Sequence, residues 1–327
     1  MFKKKGFGLF LLLFSLMLVL AACGSSDDTE ESDNASEGEE KTSDSSYEVE
    51  HAMGTAEIPE TPEKVVILTN EGTEALLAMG VKPVGAVQSW LGDPWYDHIS
   101  EDMEGVEVVG TESDINLEAI AGLKPDLIIG NKQRQEKWFD QLNKIAPTVF
   151  AEELRGDWKI NFELYSKALN KEEKGQEVLS AFDERIESLK SDLEEQEKLD
   201  TKVSVVRFLP GSSRIYYKDS FSGVILEQIG LARPESQDKP EFAEEVTKER
   251  IPDMDGDVLF YFTYETGDGE GNSTEEEWTN DKLWNNLEVV QEGNVHEVSD
   301  AIWNTAGGVM AANQMVDELE QYLLEEK

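Results

Sequence analysis

Four of the seven arginines in the chain lie beside predicted strand ends or in the loops that follow them. Arg134 comes just past the run LIIG, Arg155 lies in LRGDW, Arg207 follows VSVV, and Arg214 lies in GSSRIYY. A guanidinium presents N–H donors in a planar fork that suits carboxylates and other oxygen-rich anions, and it keeps its charge when partly buried. These residue types in these positions favour a site for an anionic ligand.

Large aromatic side chains accompany the arginines in the same predicted loops. Core packing explains any one of them as well as a ligand contact does, but polar groups converging among aromatics mark binding sites. The combination favours a pocket for a bulky ligand with both apolar and anionic surface. The candidate aromatic residues are Trp90, Trp95, Tyr96, Trp158, Tyr216, Tyr217 and Trp303.

Residues that could bind a metal or catalyse a reaction are sparse. The three histidines, His51, His98 and His296, show no metal-ligand spacing, so each is interpreted as a solvent or turn residue, and no zinc or manganese site is expected. The sequence contains no GxSxG, P-loop or GxGxxG motif. The run GDGEGNS over Gly267–Ser273 does not match a calcium loop and predicts a flexible surface loop. The sequence therefore does not predict an enzyme.

The N-terminal region has the pattern of a secreted protein. Residues 1–22 combine three lysines, an apolar run and the small residues Ala21 and Ala22, which is typical of a signal peptide, and the apolar run is shorter than the ~20 residues of a membrane-spanning helix. Residues 23–50 start at the only cysteine, Cys23, and are almost wholly polar, so they predict a disordered acidic linker. The formal net charge of −41 makes nucleic acid and anionic lipid poor partners.

The remaining sequence alternates between strand and helix patterns. From residue 57 to 165, runs such as KVVILTN, VKPVGAV and LKPDLIIG alternate with helical segments, which predicts an α/β lobe with a mostly parallel sheet. Apolar residues at three- and four-residue steps between Asn161 and Leu199 predict one long amphipathic helix, which connects the lobes over 166–199. The α/β pattern then starts again over 200–327. The predicted fold class is two α/β lobes joined by one long helix, with the ligand in the cleft between them.

Several motifs together resemble a known family. They are the lipobox-like LAAC ending at Cys23, EGTEALLAMGVKPVGA, INLEAIAGLKPDLIIGNK, LRGDWKINF and WNTAGGVMAANQMVDEL. This combination resembles the class III periplasmic binding proteins, which have a helical backbone, and among them the ferric-siderophore-binding lipoproteins of ABC importers in Gram-positive bacteria. The resemblance implies a monomer on the outer face of the cytoplasmic membrane, anchored by lipid on Cys23. It also implies a hydroxamate or citrate-hydroxamate siderophore that itself holds the iron, so that the protein needs no cofactor.

The resemblance also implies two contacts with the membrane permease. Glu118 in INLEAI and Glu249 in VTKERI match the docking glutamates of that family, behind the predicted caps Asn116 and Thr247. A carboxylate in the first turn of a helix also stabilises the helix dipole without any partner.

Other functions remain open from the sequence. The ligand could be haem, with His98 or Tyr96 as an axial ligand, or cobalamin. An anchored surface hydrolase or an adhesion protein would be a different class, but the first needs a compact catalytic group that the sequence does not offer, and the second leaves the arginine and tryptophan placement unexplained.

Overall fold

The computed structural model describes residues 46–154, 156 and 158–324. The predicted signal peptide, Cys23 and Arg155 lie outside the described residues. Among the described residues, no helix combines the length and the apolar character that crossing a bilayer requires.

The N-terminal lobe is built on a five-stranded sheet whose strands all run parallel, in the order β5-β4-β3-β8-β9. Its central strands are buried on both faces, which explains their continuous apolar runs. Two antiparallel hairpins, β1-β2 and β6-β7, flank it. The strands are β1 (Tyr47–His51), β2 (Gly54–Ile58), β3 (Val65–Ile67), β4 (Gly85–Ala86), β5 (Glu107–Val108), β6 (Gly110–Thr111), β7 (Asp114–Ile115), β8 (Leu127–Asn131) and β9 (Thr148–Ala151).

The folded lobe begins earlier than the sequence predicted. Residues 47–50, assigned above to the disordered linker, form most of β1. Val49 is buried at 4% exposure, and the Tyr47 hydroxyl donates a hydrogen bond to the Ala168 carbonyl at 2.9 Å. Tyr47 and Val49 alternate with Glu48 and Glu50, a two-residue period typical of a half-buried strand, and the acidic composition masked it.

The C-terminal lobe has a mixed sheet in the order β12-β11-β10-β13-β14. Strand β13 pairs parallel with both β10 and β14, whereas β11 pairs antiparallel with both β10 and β12. The chain forms a hairpin between β10 and β11 that its sequence pattern does not predict, and it turns at Pro210 and at Gly211 with φ of 72°. Arg207 and Arg214 therefore lie inside these two strands, and not after a strand end or in a loop as the sequence predicts. The strands are β10 (Val203–Leu209), β11 (Ser212–Tyr216), β12 (Ala243–Val246), β13 (Val258–Thr263) and β14 (Val295–Glu297).

Helices cover both sheets and connect the lobes. The α-helices are α1 (Asn70–Ala78), α2 (Leu117–Leu123), α3 (Lys132–Gln135), α4 (Phe139–Leu142), α5 (Trp158–Ala168), α6 (Glu172–Glu195), α7 (Phe221–Ile229), α8 (Glu270–Thr279), α9 (Glu288–Gln291) and α10 (Val309–Leu324). Short 3₁₀ segments span Asp97–Ile99, Glu136–Trp138, Lys248–Met254 and Trp284–Asn286, and a π-helical segment spans Ala301–Thr305.

The connection between the lobes differs in detail from the single predicted helix. It consists of α5 and then the 24-residue α6, with a break at Asn170, which has φ of 54°. Asparagine tolerates this left-handed conformation better than most residues, so it ends one helix and allows the next to start in a new direction. The apolar stripe of α6 is buried as predicted, and α6 packs against α5, α7 and α10.

The segment Gly267–Ser273 also differs from its prediction as a flexible loop. Its second half is the first turn of α8, which begins at Glu270. Before it, the Glu265 carboxylate accepts the backbone N–H groups of Gly267 at 2.6 Å and Gly269 at 2.9 Å. A carboxylate collecting backbone donors in this way orders the turn and favours the start of the helix.

Helix α10 follows the C-terminal lobe in the chain but is tied to the N-terminal lobe. The Glu74 side chain on α1 is fully buried, and its Oε2 accepts the N–H groups of Met310 and Ala311, each at 2.9 Å. Its Oε1 lies 2.5 Å from Nε2 of His98. A negative charge at a helix N-terminus is favourable, so this contact fixes α10 to α1.

The three histidines make specific contacts with other residues, unlike the solvent or turn residues that the sequence predicts. The His98 side chain is only 8% exposed and pairs with the buried carboxylate of Glu74. Nδ1 of His51 accepts the N–H groups of Met53 and Phe150, and His296 packs against the rings of Phe260 and Tyr322. Within the described residues, no cluster of three or more His, Cys, Asp or Glu side chains could hold a metal ion.

Gly308 tests the contact between α10 and α1. A Cβ at Gly308 would lie 2.6 Å from Glu74 Oε2 and 2.9 Å from the Glu71 carbonyl oxygen. We expect Gly308→Ala to lower the free energy of unfolding by about 1–3 kcal/mol, as overpacking does, in urea denaturation. The control Gly122→Ala lies in α2 with open space around its Cβ, and helix propensity predicts no loss there. Equal effects of the two variants would show that the packing at Gly308 is loose.

Candidate functional site

A cavity of about 450 Å³ lies between the two lobes. This volume is in the range of small-molecule sites. On the N-terminal side, its residues follow the carboxyl ends of the parallel strands, where ligand sites of α/β folds lie. They are Glu71, Trp90, Glu112, Arg134 and Leu154.

The C-terminal lobe forms the other wall. It contributes strands β10 and β11, the start of α7, the residues just before β12 and just after β13, and the segment that leads into α10. These residues are Arg207, Leu209, Arg214, Phe221, Phe242, Tyr264 and Asn304–Gly307. The wall is apolar and aromatic, with two guanidinium groups and the hydrogen-bonding groups of Asn304 and Thr305.

Arg207 is the most rigidly held cation of the cavity. It is 7% exposed, and its Nε and Nη2 donate to the two oxygens of Asp300 at 2.6 and 3.1 Å. Its Nη1 donates to the Tyr216 hydroxyl at 3.3 Å, and the Tyr264 ring lies 4.9 Å from the guanidinium carbon. These contacts fix the plane of the guanidinium, because both an edge and a face are occupied. Burial raises the pKa of the Asp300 carboxyl, and Arg207 counteracts that increase.

Arg214 lies directly opposite Arg207 in the antiparallel pair β10-β11, so the two side chains share one face of the sheet. Like charges directly opposite each other repel. Arg214 is paired at 3.6 Å with Glu245, its neighbour on β12, but that carboxylate is 60% exposed. Arg214 is therefore held more loosely than Arg207.

Arg134 approaches the cavity from the other lobe. It stands at the start of the helical region after β8, 39% exposed, with Nε 3.7 Å from Glu112 and its guanidinium carbon 5.9 Å from the Trp90 ring. At these distances Arg134 has no short hydrogen bond to Glu112. The side chain can turn towards a ligand.

A buried hydrogen-bond network holds Glu112 at the cavity wall. Oε1 of Glu112 accepts the backbone and side-chain N–H groups of Asn70 at 2.8 and 2.9 Å. The Gln135 side chain, fully buried, donates to the carbonyls of Leu68 and Glu112 and accepts from the Asn131 N–H. This network ties together the segments that follow β3, β5 and β8. Burial raises the pKa of Glu112, and the Asn70 hydrogen bonds and Arg134 counteract the increase.

Glu71 is a second carboxylate on this wall. Its Oε1 accepts hydrogen bonds from Nδ2 of Asn161 at 2.8 Å and from the Tyr165 hydroxyl at 2.9 Å. Burial and the neighbouring Glu71 charge raise the pKa of Tyr165 well above 10, so it remains a neutral donor. Helix α5 thus orients a carboxylate that comes from α1.

A second cavity of about 530 Å³ adjoins the first and shares Trp90, Glu112 and Tyr264 with it. Its wall includes Ser89 and Thr266, whose hydroxyl groups can donate or accept hydrogen bonds. The cleft is thus large enough for a bulky ligand.

The structure brings together four of the predicted ligand-binding residues and separates the rest. Trp90, Arg134, Arg207 and Arg214 line the cavity, whereas Arg155 lies outside the described residues. The other six predicted aromatic residues are buried in the core, where they are at most 7% exposed. They are Trp95, Tyr96, Trp158, Tyr216, Tyr217 and Trp303.

The buried aromatics have definite structural partners. Trp303 stacks on Phe260 with ring centroids 4.5 Å apart and donates its indole N–H to Glu318 at 2.5 Å. Trp158 packs edge-on against Phe182 at 5.2 Å. Tyr216 supports a residue of the cavity, because its hydroxyl accepts a hydrogen bond from Arg207. These side chains pack the core and support the cavity wall.

Sequence reasoning missed Glu71, Glu112 and Tyr264. Each follows the carboxyl end of a strand, and this position was the available signal. The two glutamates were hidden among 70 acidic residues. The chain has only seven arginines, so their positions after predicted strands were easier to recognise.

The two predicted docking glutamates are exposed, one on each lobe. Glu118 is in the first turn of α2, where the Asn116 side chain accepts the N–H groups of Glu118 and Ala119 as the predicted cap. Glu249 lies in the 3₁₀ segment after Thr247. The Thr247 hydroxyl and the Glu249 N–H lower the pKa of the Glu249 carboxyl, which favours its charged form.

Comparison with known proteins decides the family. The model of a family described as periplasmic binding protein matches residues 65–301. The chain belongs to this family. The predicted family and fold class, two α/β lobes joined by a helical backbone, are confirmed.

Two curated relatives and one solved structure are similar over nearly their full lengths. The probable siderophore-binding lipoprotein YfiY of Bacillus subtilis is 53% identical over 99% of this chain and 100% of its own. The Fe(3+)-citrate-binding protein YfmC of the same organism is 29% identical over 95% of both chains. Staphylococcus aureus SirA complexed with staphyloferrin B is 35% identical with a TM-score of 0.79, over 86% of this chain and 99% of SirA.

Glu112 gives this site a testable pH dependence. Because burial raises its pKa above the ordinary 4.5, the folded protein binds this proton more tightly than the unfolded chain. The protonated Glu112 therefore stabilises the fold at a pH below its pKa in the unfolded chain. This stabilisation is lost as the pH rises through the pKa of Glu112 in the folded protein. Gln at position 112 does not titrate, so the variant does not lose this stability as the pH rises. The free energy of unfolding of Glu112→Gln minus that of the native chain should therefore be larger at pH 8 than at pH 5, measured by urea denaturation at both values.

Glu118→Gln is the matched control for removing one negative charge from an acidic chain, since Glu118 is exposed. A relative stability of Glu112→Gln that falls from pH 5 to pH 8 would contradict the burial of an ionisable Glu112.

Proposed function

We propose that this chain is the substrate-binding protein of an iron importer, and that it captures a ferric siderophore and delivers it to an ABC permease. The observation that carries the proposal is the cleft between the lobes, where Arg134 faces Arg207 and Arg214 among aromatic side chains. The names of YfiY and SirA, with siderophore ligands, support the same ligand class. The names of YfiY and YfmC describe binding proteins, which supports a binding role for this chain.

The arginines favour a ferric chelate that carries carboxylate groups. A guanidinium fork pairs with a free carboxylate through two parallel hydrogen bonds, whereas the hydroxamate oxygens of a neutral ferric trihydroxamate are bound to the iron and gain less from it. The citrate-hydroxamate class of the sequence prediction fits this requirement better than a purely hydroxamate chelate. The relative named for Fe(3+)-citrate binding supports this choice. The chelate holds the iron, and the protein supplies hydrogen bonds and aromatic contacts.

The described residues give the haem alternative little support. Both axial-ligand candidates lie in the core: His98 pairs with Glu74, and Tyr96 is 2% exposed and stacks against His98. A haem iron would have to displace these contacts.

The location of the protein follows from the same proposal. The N-terminal signal pattern and the relative named as a lipoprotein support an extracellular protein held at the membrane by lipid on Cys23. The binding protein would act as a monomer, with Glu118 and Glu249 presented to arginines of the permease.

Ligand binding can be measured by the tryptophan fluorescence of the purified mature protein. The titrants are a ferric citrate-hydroxamate chelate, ferric staphyloferrin B, ferric citrate, a neutral ferric trihydroxamate, haem and cobalamin. Each siderophore and citrate is also tested without iron. We expect saturable quenching by an iron-loaded carboxylate chelate and weaker quenching by its iron-free form. Saturation by haem or cobalamin alone would reject the siderophore assignment.

The same titration tests the arginines. Arg134→Gln should weaken binding of that chelate about tenfold, the loss expected for one charge-assisted contact. Arg250→Gln is the control, because the Arg250 side chain is also 39% exposed but pairs with Asp253 and Glu244, away from the cavity. Equal losses in both variants would argue against a ligand contact at Arg134.

The docking glutamates are tested by uptake. Glu118→Lys and Glu249→Lys reverse the charge at two exposed positions, so iron uptake by cells that rely on this protein should fall several-fold while ligand affinity stays unchanged. Glu57→Lys, at an exposed position of β2, is the control for charge reversal. Normal uptake by the Glu118 and Glu249 double variant would exclude them as docking points.

A further inference from the structure

Asp300 stands behind Arg207 and is not among the described residues that line the cavity. It is 4% exposed and directly precedes the π-helical segment Ala301–Thr305, whose last two residues line the cavity together with Ala306 and Gly307. Its two oxygens accept Nε and Nη2 of Arg207 at 2.6 and 3.1 Å. This side-on pairing leaves the other end of the guanidinium facing away from Asp300.

The hydrogen bonds of Arg207 can be counted. A guanidinium has five N–H groups. Hydrogen bonds to described residues account for three, two to Asp300 and one to the Tyr216 hydroxyl. Each Nη nitrogen carries a second N–H group beyond the one in these hydrogen bonds, and Arg207 lines the cavity. The Nη nitrogens of a guanidinium can bind a carboxylate in a bidentate manner.

The hairpin would disturb this arrangement without Asp300. Arg214 lies directly opposite Arg207, and the two positive charges repel. Glu245, the neighbour of Arg214 on β12, offsets the charge on Arg214 from the outer side of the pair. Asp300 lies outside the hairpin, directly before the π-helical segment. Its carboxylate pairs with Arg207 and keeps the guanidinium in one orientation.

We propose that Asp300 is a positioning residue, which holds Arg207 in the orientation that receives a carboxylate of the ligand. This inference rests on the proposed function, because it needs an anionic chelate in the cleft. A receptor that is already ordered loses less conformational entropy when the ligand binds. The opposite role is a competing counter-ion, in which Asp300 occupies the charge of Arg207 and weakens the binding of anions. The two roles predict changes of opposite sign.

The test measures the affinity of Asp300→Asn for ferric citrate and ferric staphyloferrin B, with the neutral ferric trihydroxamate as a probe that lacks carboxylates. Asparagine keeps the size of the side chain but removes its charge. Positioning predicts that binding of a carboxylate chelate weakens about tenfold. A gain in affinity would show that Asp300 competes with the ligand, and would overturn the proposal.

Two further variants separate positioning from other effects. Asp300→Glu keeps the charge but moves the carboxylate by one methylene, so positioning predicts a loss here too, and native affinity would overturn the proposal. In an Arg207→Met background, Asp300→Asn should have no further effect beyond about twofold. A full additional loss there would mean that Asp300 acts through the Asn304–Gly307 segment and not through Arg207.

The double variant Arg207→Met with Asp300→Asn also addresses folding, since it leaves no buried unpaired charge. Urea denaturation of each variant shows whether a loss of affinity reflects unfolding. If the native protein binds neither carboxylate chelate, the proposed ligand class fails before the role of Asp300 is reached. If it binds them and Asp300→Asn binds equally well, only the positioning role fails.

Discussion

The cleft depends on the ion pair between Arg207 and Asp300. Removing a guanidinium from water is costly unless its charge and its N–H groups are matched, and a buried ion pair contributes little net stability even when they are. The fold matches Arg207 with a carboxylate, a tyrosine hydroxyl and an aromatic ring. An apolar residue would fill the same space at lower cost. What the arginine adds over an apolar residue is a fixed positive charge in the cleft, which an anionic ligand can use.

The charged groups of the N-terminal wall are held in a different way. Its cation, Arg134, remains partly exposed, and the buried group is the carboxylate of Glu112, whose position Asn70 and Gln135 determine. The C-terminal wall therefore presents the fixed cation Arg207 beside the more loosely held Arg214, and the N-terminal wall presents the partly exposed cation Arg134. The distance between the walls depends on the elements that join the lobes, which are α6 and the contact of Glu74 with the start of α10. Both lobes contribute arginines, so a single anionic ligand can contact the two walls at once.

The sequence was sufficient for the features that are encoded locally. Continuous apolar runs gave the parallel strands, Asn116 gave the start of α2, and the rarity of arginine gave three residues of the cleft. Features that depend on tertiary pairing were not accessible. The hairpin that sets Arg207 opposite Arg214 turns at a short Pro-Gly sequence, and only the pairing shows that the two charges are neighbours. Aromatic residues follow strand ends both in the core and in the cleft, so residue type could not separate Trp90 from Trp303.

The charge of the chain bears on the selectivity of the cleft. A protein with a formal net charge of −41 repels free anions at long range, although salt screens this repulsion beyond about 8 Å. Inside the cleft, Glu71 and Glu112 stand beside the arginines, so a small anion meets carboxylates as well as cations. A large chelate can place its carboxylates on the arginines and direct hydrogen-bond donors or apolar surface at the rest of the wall. Mixed charge thus lowers the affinity for simple anions more than for a ligand of matching shape, and selectivity is that difference.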